Sequence, residues 1–145
     1  LAHAYTTFGS FDLAIQYYEK AMSINAKIFS INYNLGNLYL ARGREEEAIG
    51  LLETAALIRP NNLEVNVLLG EVYLKRKTID RAEFYFKKSV ELNPNYALAM
   101  KNLGIIYYFH LKKTKEAVVY FSRSLSIDPN QQGADKIRIL IKQIK

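Results

Sequence analysis

Two histidines, His3 and His110, and no cysteine stand among the 145 residues of this chain. Zinc ligation and thiol catalysis both need clusters of such side chains, so neither has a basis in this sequence. As a lone imidazole, His3 reads as a structural or exposed group rather than a catalyst. The densest run of carboxylates is Glu45, Glu46 and Glu47. Consecutive helical residues point in different directions, so this run is not an acid–base pair. It reads instead as a solvated helix start, where acids favour the positive end of the helix dipole. The seven glycines form neither G-x-G-x-x-G nor a P-loop, so no phosphate cradle is encoded. The expectation is a non-enzyme that needs no cofactor and no metal.

The elements around these residues repeat. Leu35-Gly36, Tyr39, Ala48, Leu52, Ala55 and Pro60 form one cycle. Leu69-Gly70, Tyr73, Ala82, Phe86, Ser89 and Pro94 form the next, and Leu103-Gly104, Tyr107, Ala117, Phe121, Ser124 and Pro129 a third. Leu1-Ala2, Tyr5, Ala14, Tyr18 and Ala21 belong to an earlier, incomplete one, with Ala26 in the place of the proline. Gly36, Gly70 and Gly104 follow one another at steps of 34 residues, a period typical of stacked helical units. Such an array has no catalytic cleft by default and offers a long surface for binding.

Each recurring residue type has a physical reason. A glycine inside a helix costs about 1 kcal/mol relative to alanine, so its repetition predicts another helix too close for a Cβ. Ala48, Leu52 and Ala55 recur at i, i+4 and i+7, which makes one apolar helical face. Pro60, Pro94 and Pro129 end the second helix of each cycle. Gly9 and Gly43 suit the left-handed residue that closes the first helix, and Ser10 and Thr78 follow as candidate N-caps. The pattern predicts first helices, A, at about 1–8, 29–42, 63–76 and 97–111. It predicts second helices, B, at about 11–25, 45–58, 79–92 and 114–127. The interval from Tyr107 to Ala117 is one residue longer than its counterparts and carries Lys112, Lys113 and Lys115; a surface loop is expected to absorb the extra residue. Residues 132–145 form a last amphipathic helix whose stripe is Ile137, Leu140, Ile141 and Ile144. It is expected to cap the final repeat.

This succession resembles the tetratricopeptide repeat over residues 1–131. The resemblance implies an all-α, right-handed superhelical solenoid of antiparallel helix pairs with a C-terminal capping helix. One domain, 1–145, would hold repeats at about 1–28 (incomplete), 29–62, 63–96 and 97–131. It also implies a non-catalytic protein–protein interaction scaffold that binds a peptide or helix segment of its partner in a concave groove. In that family the groove is walled by helix A, which here places His3, Thr6 and Thr7 on the first helix. Tyr33, Asn34, Asn37 and Leu40 follow on the second, and Val67, Glu71 and Leu74 on the third. The last helix A adds Leu98, Lys101, Asn102, Ile105 and Tyr108, with Phe109 beside them.

Two ligand codes of the family fall on these positions. The carboxylate clamp for chaperone C-termini is broken, because Tyr33, Leu68, Leu98 and Asn102 replace four of its five residues while Asn37 fits. The ladder of asparagines that holds peptide backbone is matched by Asn34 and Asn102 and interrupted by Leu68, and a local hydrogen bond is the alternative role for each asparagine. The apolar members of the wall predict a partner segment with apolar anchors.

Charge is uneven. Residues 97–145 carry nine Lys/Arg against three Asp/Glu, the whole of the net +6. A basic end favours an apolar or partly acidic peptide of another protein. Nucleic acid is the less favoured partner, direct membrane binding is not expected, and self-association stays open. An accessory substrate-recruiting domain of a larger enzyme and an RNA-binding helical repeat are the alternative functions. The start at Leu1 falls inside a helix A, so a segment of a longer protein is expected. No apolar run approaches the ~18 residues of a membrane span, and a soluble, cytoplasmic setting is slightly favoured.

Overall fold

The computed structural model describes residue 2 and residues 10–144. The expectations for His3, Tyr5, Thr6, Thr7, Gly9 and most of the first helix A lie outside the described residues. Eight α-helices follow: α1 (Phe11–Ile24), α2 (Phe29–Ala41), α3 (Glu45–Ile58), α4 (Leu63–Lys75), α5 (Ile79–Leu92), α6 (Ala97–Ile105), α7 (Thr114–Ile127) and α8 (Ala134–Ile144). A π-helical turn, Ile106–His110, continues α6. No strand occurs among the described residues. The chain gathers into two compact units, residues 1–65 and 66–145.

In the first unit, Ala14, Ile15 and Tyr18 of α1 pack with Leu35, Leu38 and Tyr39 of α2 and Ala48 of α3. The glycine spacing has the expected cause. A Cβ on Gly36 would stand 2.8 Å from Leu52 Cγ of α3. The second unit repeats the arrangement: a Cβ on Gly70 would meet the Phe86 ring at 2.9 Å, and one on Gly104 the Phe121 ring at 2.5 Å. Both rings are fully buried, so they have no room to retreat. The α8 helix packs on α7 and buries Ala134 and Ile137 there, with Leu140, Ile141 and Ile144 half-buried.

The helix ends add detail that the repeat pattern did not show. Helices α3, α5 and α7 stop two residues before Pro60, Pro94 and Pro129; the intervening Arg59, Asn93 and Asp128 all leave the helical region, and Asn93 and Asp128 turn extended, as a following proline favours. Asn93 Oδ1 and Asp128 Oδ1 then accept from the amides of Asn95 and Asn130 at 3.0 and 3.1 Å. Asn25 Oδ1 accepts likewise from Lys27 at 2.9 Å, so an Asx turn closes α1 where Ala26 replaces the proline. Ser10 and Thr78 do occupy the N-cap positions, but neither side chain bonds the helix. Gly43 is left-handed with φ +74°, and Lys77 and Lys112 hold the equivalent turns at φ +59° and +58°.

The extra residue near Tyr107 is not absorbed by a surface loop. Leu111 N–H bonds Ile106 O at 3.0 Å, an i→i+5 bond, so the insertion widens the end of α6 into the π-turn. Lys113 N–H closes on Tyr107 O at 2.8 Å, where Arg44 and Thr78 close on Tyr39 and Tyr73 one residue sooner.

Candidate functional site

The helix-A residues proposed as a binding wall fall into the two units and take different roles. In the first unit, Tyr33 stacks on Phe29 with ring centroids 5.7 Å apart. Asn37 Nδ2 donates to Tyr33 O one turn earlier, at 3.0 Å, and Leu40 is half-buried against the core. Asn34 Nδ2 donates to the Tyr18 hydroxyl at 3.0 Å. That bond ties α2 to α1 and is the local role open to this asparagine from its sequence position.

In the second unit, Glu71 and Leu74 of α4 meet Asn102 and Ile105 of α6 around an open cleft of about 410 Å³, with Lys75, Lys77 and His110 on its rim. Burial pushes the Glu71 carboxyl above its usual range, and the Lys101 charge partly opposes this. Val67 and Asn102 are buried, whereas Leu98, Lys101 and Tyr108 are half-buried. Leu98, Val67 and Tyr108 are not among the cleft's lining residues.

A second, smaller opening of about 240 Å³ adjoins the first at Ile105. Phe109, Phe121, Ile137 and Leu140 complete its apolar wall, and Lys101, Gln132, Gly133 and Lys136 its margin. The sequence pattern favours a capping role for α8 and does not mark it as a wall of a site. The signal was present in the long Tyr107–Ala117 interval, which relocates Phe109 and His110.

In the first unit, an opening of about 560 Å³ lies between α1 and α3 with α2 as its floor. Its polar groups already serve one another. Tyr39 donates to Glu19 Oε1 at 2.5 Å, and Arg44 lies over the Tyr39 ring at 3.8 Å and pairs with Glu47. Burial, then the Glu19 hydrogen bond, lifts the Tyr39 phenol to about 12. Among the described residues no three His, Cys, Asp or Glu side chains are grouped to hold a metal ion. No helix among them is long and apolar enough to cross a membrane.

These helix pairs and their close-packed glycines match known sequence families. A tetratricopeptide repeat model matches residues 6–62 and again 46–103, and a second model of the same repeat matches 100–131. The chain belongs to the tetratricopeptide repeat family. A curated relative, anaphase-promoting complex subunit 3 of Schizosaccharomyces pombe, is 27% identical over 148 residues, which cover 96% of this chain. The chain spans only 17% of that relative's length. Among solved structures, a crystal structure of MamA superposes with a TM-score of 0.82 at 21% identity, covering 99% of this chain and 92% of that one. MamA from Desulfovibrio magneticus RS-1 gives 0.77 at 20% identity, over 90% and 73%. These likenesses show the tetratricopeptide repeat fold, as the repeat spacing predicts.

Proposed function

We propose that this tetratricopeptide repeat chain is a non-catalytic scaffold whose helix-A faces bind a peptide or helical segment of another protein. The observation that carries this reading is the cleft of the second unit, where Glu71, Leu74, Asn102 and Ile105 converge from two successive helix-A segments. Apolar walls with a few polar groups suit a peptide whose side chains supply anchors and whose backbone seeks hydrogen bonds. Asn34, Asn37 and Leu40 hold the equivalent repeat positions in the first unit, with Tyr33 one residue before them. The family and the named relatives support an interaction role, because repeats of this kind devote their conserved pattern to packing and leave one face for recognition.

The test is to select peptides on the immobilised chain from a random library and to measure their affinity for variants by calorimetry. Leu74→Ala and Tyr33→Ala are expected to weaken selected peptides by roughly five-fold or more, as truncated anchors do, with helicity unchanged. Affinity lost only on altering exposed helix-B residues such as Phe84 or Val119 would place recognition elsewhere and remove this reading.

A further inference from the structure

We propose that the cavity between α6, its π-turn and α8 receives one large apolar side chain, phenylalanine or leucine, of an acidic peptide segment. The inference rests on the peptide-binding reading above and names the anchor and the charge of the ligand. At about 240 Å³ the cavity is smaller than the ~300–1,000 Å³ of pockets for whole small molecules, a size that suits a single side chain. Its wall is apolar, from Ile105, Phe109, Phe121, Ile137 and Leu140. Phe109 is there because of the inserted residue: the π-turn Ile106–His110 carries it, and its ring stands edge-on to Tyr108 with centroids 4.7 Å apart. It remains 49% exposed, an aromatic wall left uncovered by the fold. A Cβ on Gly133 would meet nothing within 4 Å, so the margin there is unobstructed.

The charge of the occupant follows from the margin. Lys101 bonds Gln132 O at 3.3 Å and feels Glu71. Lys136 is exposed and has no acidic partner among the described residues. The nearby Asp135 is paired with Arg138 at 2.8 Å. The surrounding segment, residues 97–145, holds the entire net positive charge. Acidic groups flanking an apolar anchor complete this margin, and a basic segment is repelled by it.

The test uses the whole 145-residue chain and a fluorescent, glutamate-rich peptide with one central phenylalanine. Companion peptides carry alanine at the centre, or lysines in place of the glutamates. The phenylalanine peptide is expected to bind, and the alanine peptide to bind roughly ten-fold more weakly or not at all. The lysine peptide should fail. Phe109→Ala should weaken binding at least about five-fold, and the surface change Lys136→Glu should weaken it and flatten its salt dependence. Circular dichroism checks that both variants stay helical. Equal binding of the phenylalanine and alanine peptides overturns the proposal. Affinity that falls with Leu74→Ala but not with Phe109→Ala or Lys136→Glu also overturns it, and leaves the broader reading standing. A chain that dimerises by sedimentation, dissociates on Phe109→Ala and ignores the acidic peptide assigns the cavity to a second copy and overturns it as well.

Discussion

The Tyr107 hydroxyl donates to Glu83 Oε1 at 2.7 Å, and Lys87 Nζ stands 2.7 Å from the same oxygen. This bond joins a helix A to the helix B before it, and Tyr39 makes the counterpart in the first unit with Glu19. The tyrosine of the repeat is thus more than a bulky wedge. Its ring is buried and its hydroxyl reaches an acid that the repeat pattern does not specify.

Tyr107→Phe should therefore destabilise the chain by about 1.5–3 kcal/mol, the range for a hydrogen bond to a charged group. Urea unfolding measures it, and an unchanged midpoint would show that Lys87 alone satisfies Glu83.

The same cluster sets an acid limb. Burial raises the Glu83 carboxyl, but hydrogen bonds from Lys87 and Tyr107, with the charges of Lys87 and Lys113, outweigh it and hold the group below its ordinary range. A depressed carboxyl contributes stability above its unfolded value of about 4.3 and loses it as pH falls through the folded value. Glu83→Gln should flatten the decline of melting temperature below about pH 4.3.

An alkaline limb should come from Tyr39, lifted to about 12 by burial and by the Glu19 hydrogen bond. A raised phenol contributes stability below its unfolded value of about 10 and loses it as pH rises toward the folded value. Tyr39→Phe should remove that part of the alkaline decline in a pH series of melting curves.

Gly70→Leu should cost more than about 2 kcal/mol, because the Phe86 ring lies 2.9 Å from the position of the new Cβ and is enclosed on every side. A melting temperature equal to that of the parent chain would contradict the close seam.

Lys77 holds a left-handed turn at φ +59°, a conformation costly to a side chain with a Cβ. Lys77→Gly should be neutral to stabilising by up to about 1 kcal/mol. A clear fall in stability would mean that the lysine side chain contributes more than its backbone costs.

Removing residues 132–145 uncovers the face of α7 on which Ile137 is buried. Burial of one such side chain is worth about 1.5–3 kcal/mol, so the truncated chain should melt earlier and self-associate. A monomeric truncated chain with an unchanged melting curve would show that α8 is not a cap.

The helices were legible because their signals are local. Three helix-B segments run as the spacing predicts, at 45–58, 79–92 and 114–127, since proline and the extended residue before it stop a helix whatever surrounds it. The recurring glycines were legible for a similar reason: a costly residue in a fixed register implies a fixed neighbour. The caps were less so. Ser10 and Thr78 stand in the right places without using their hydroxyls, while Asn25, Asn93 and Asp128 supply side-chain bonds at the opposite helix ends.

The sequence by itself determined the repeat, the helix pairs, the close glycine contacts and the basic end of the chain, all consequences of spacing and residue type. Tertiary structure decided where the inserted residue went. Tyr107 is held by Glu83 and Ala117 is fully buried, so both ends of the interval are fixed by packing. The strain falls on the helix end between them, which widens by one residue. Only then does Phe109 face Ile137 and Leu140 across a cavity, because residues so far apart in sequence meet through packing and not through period.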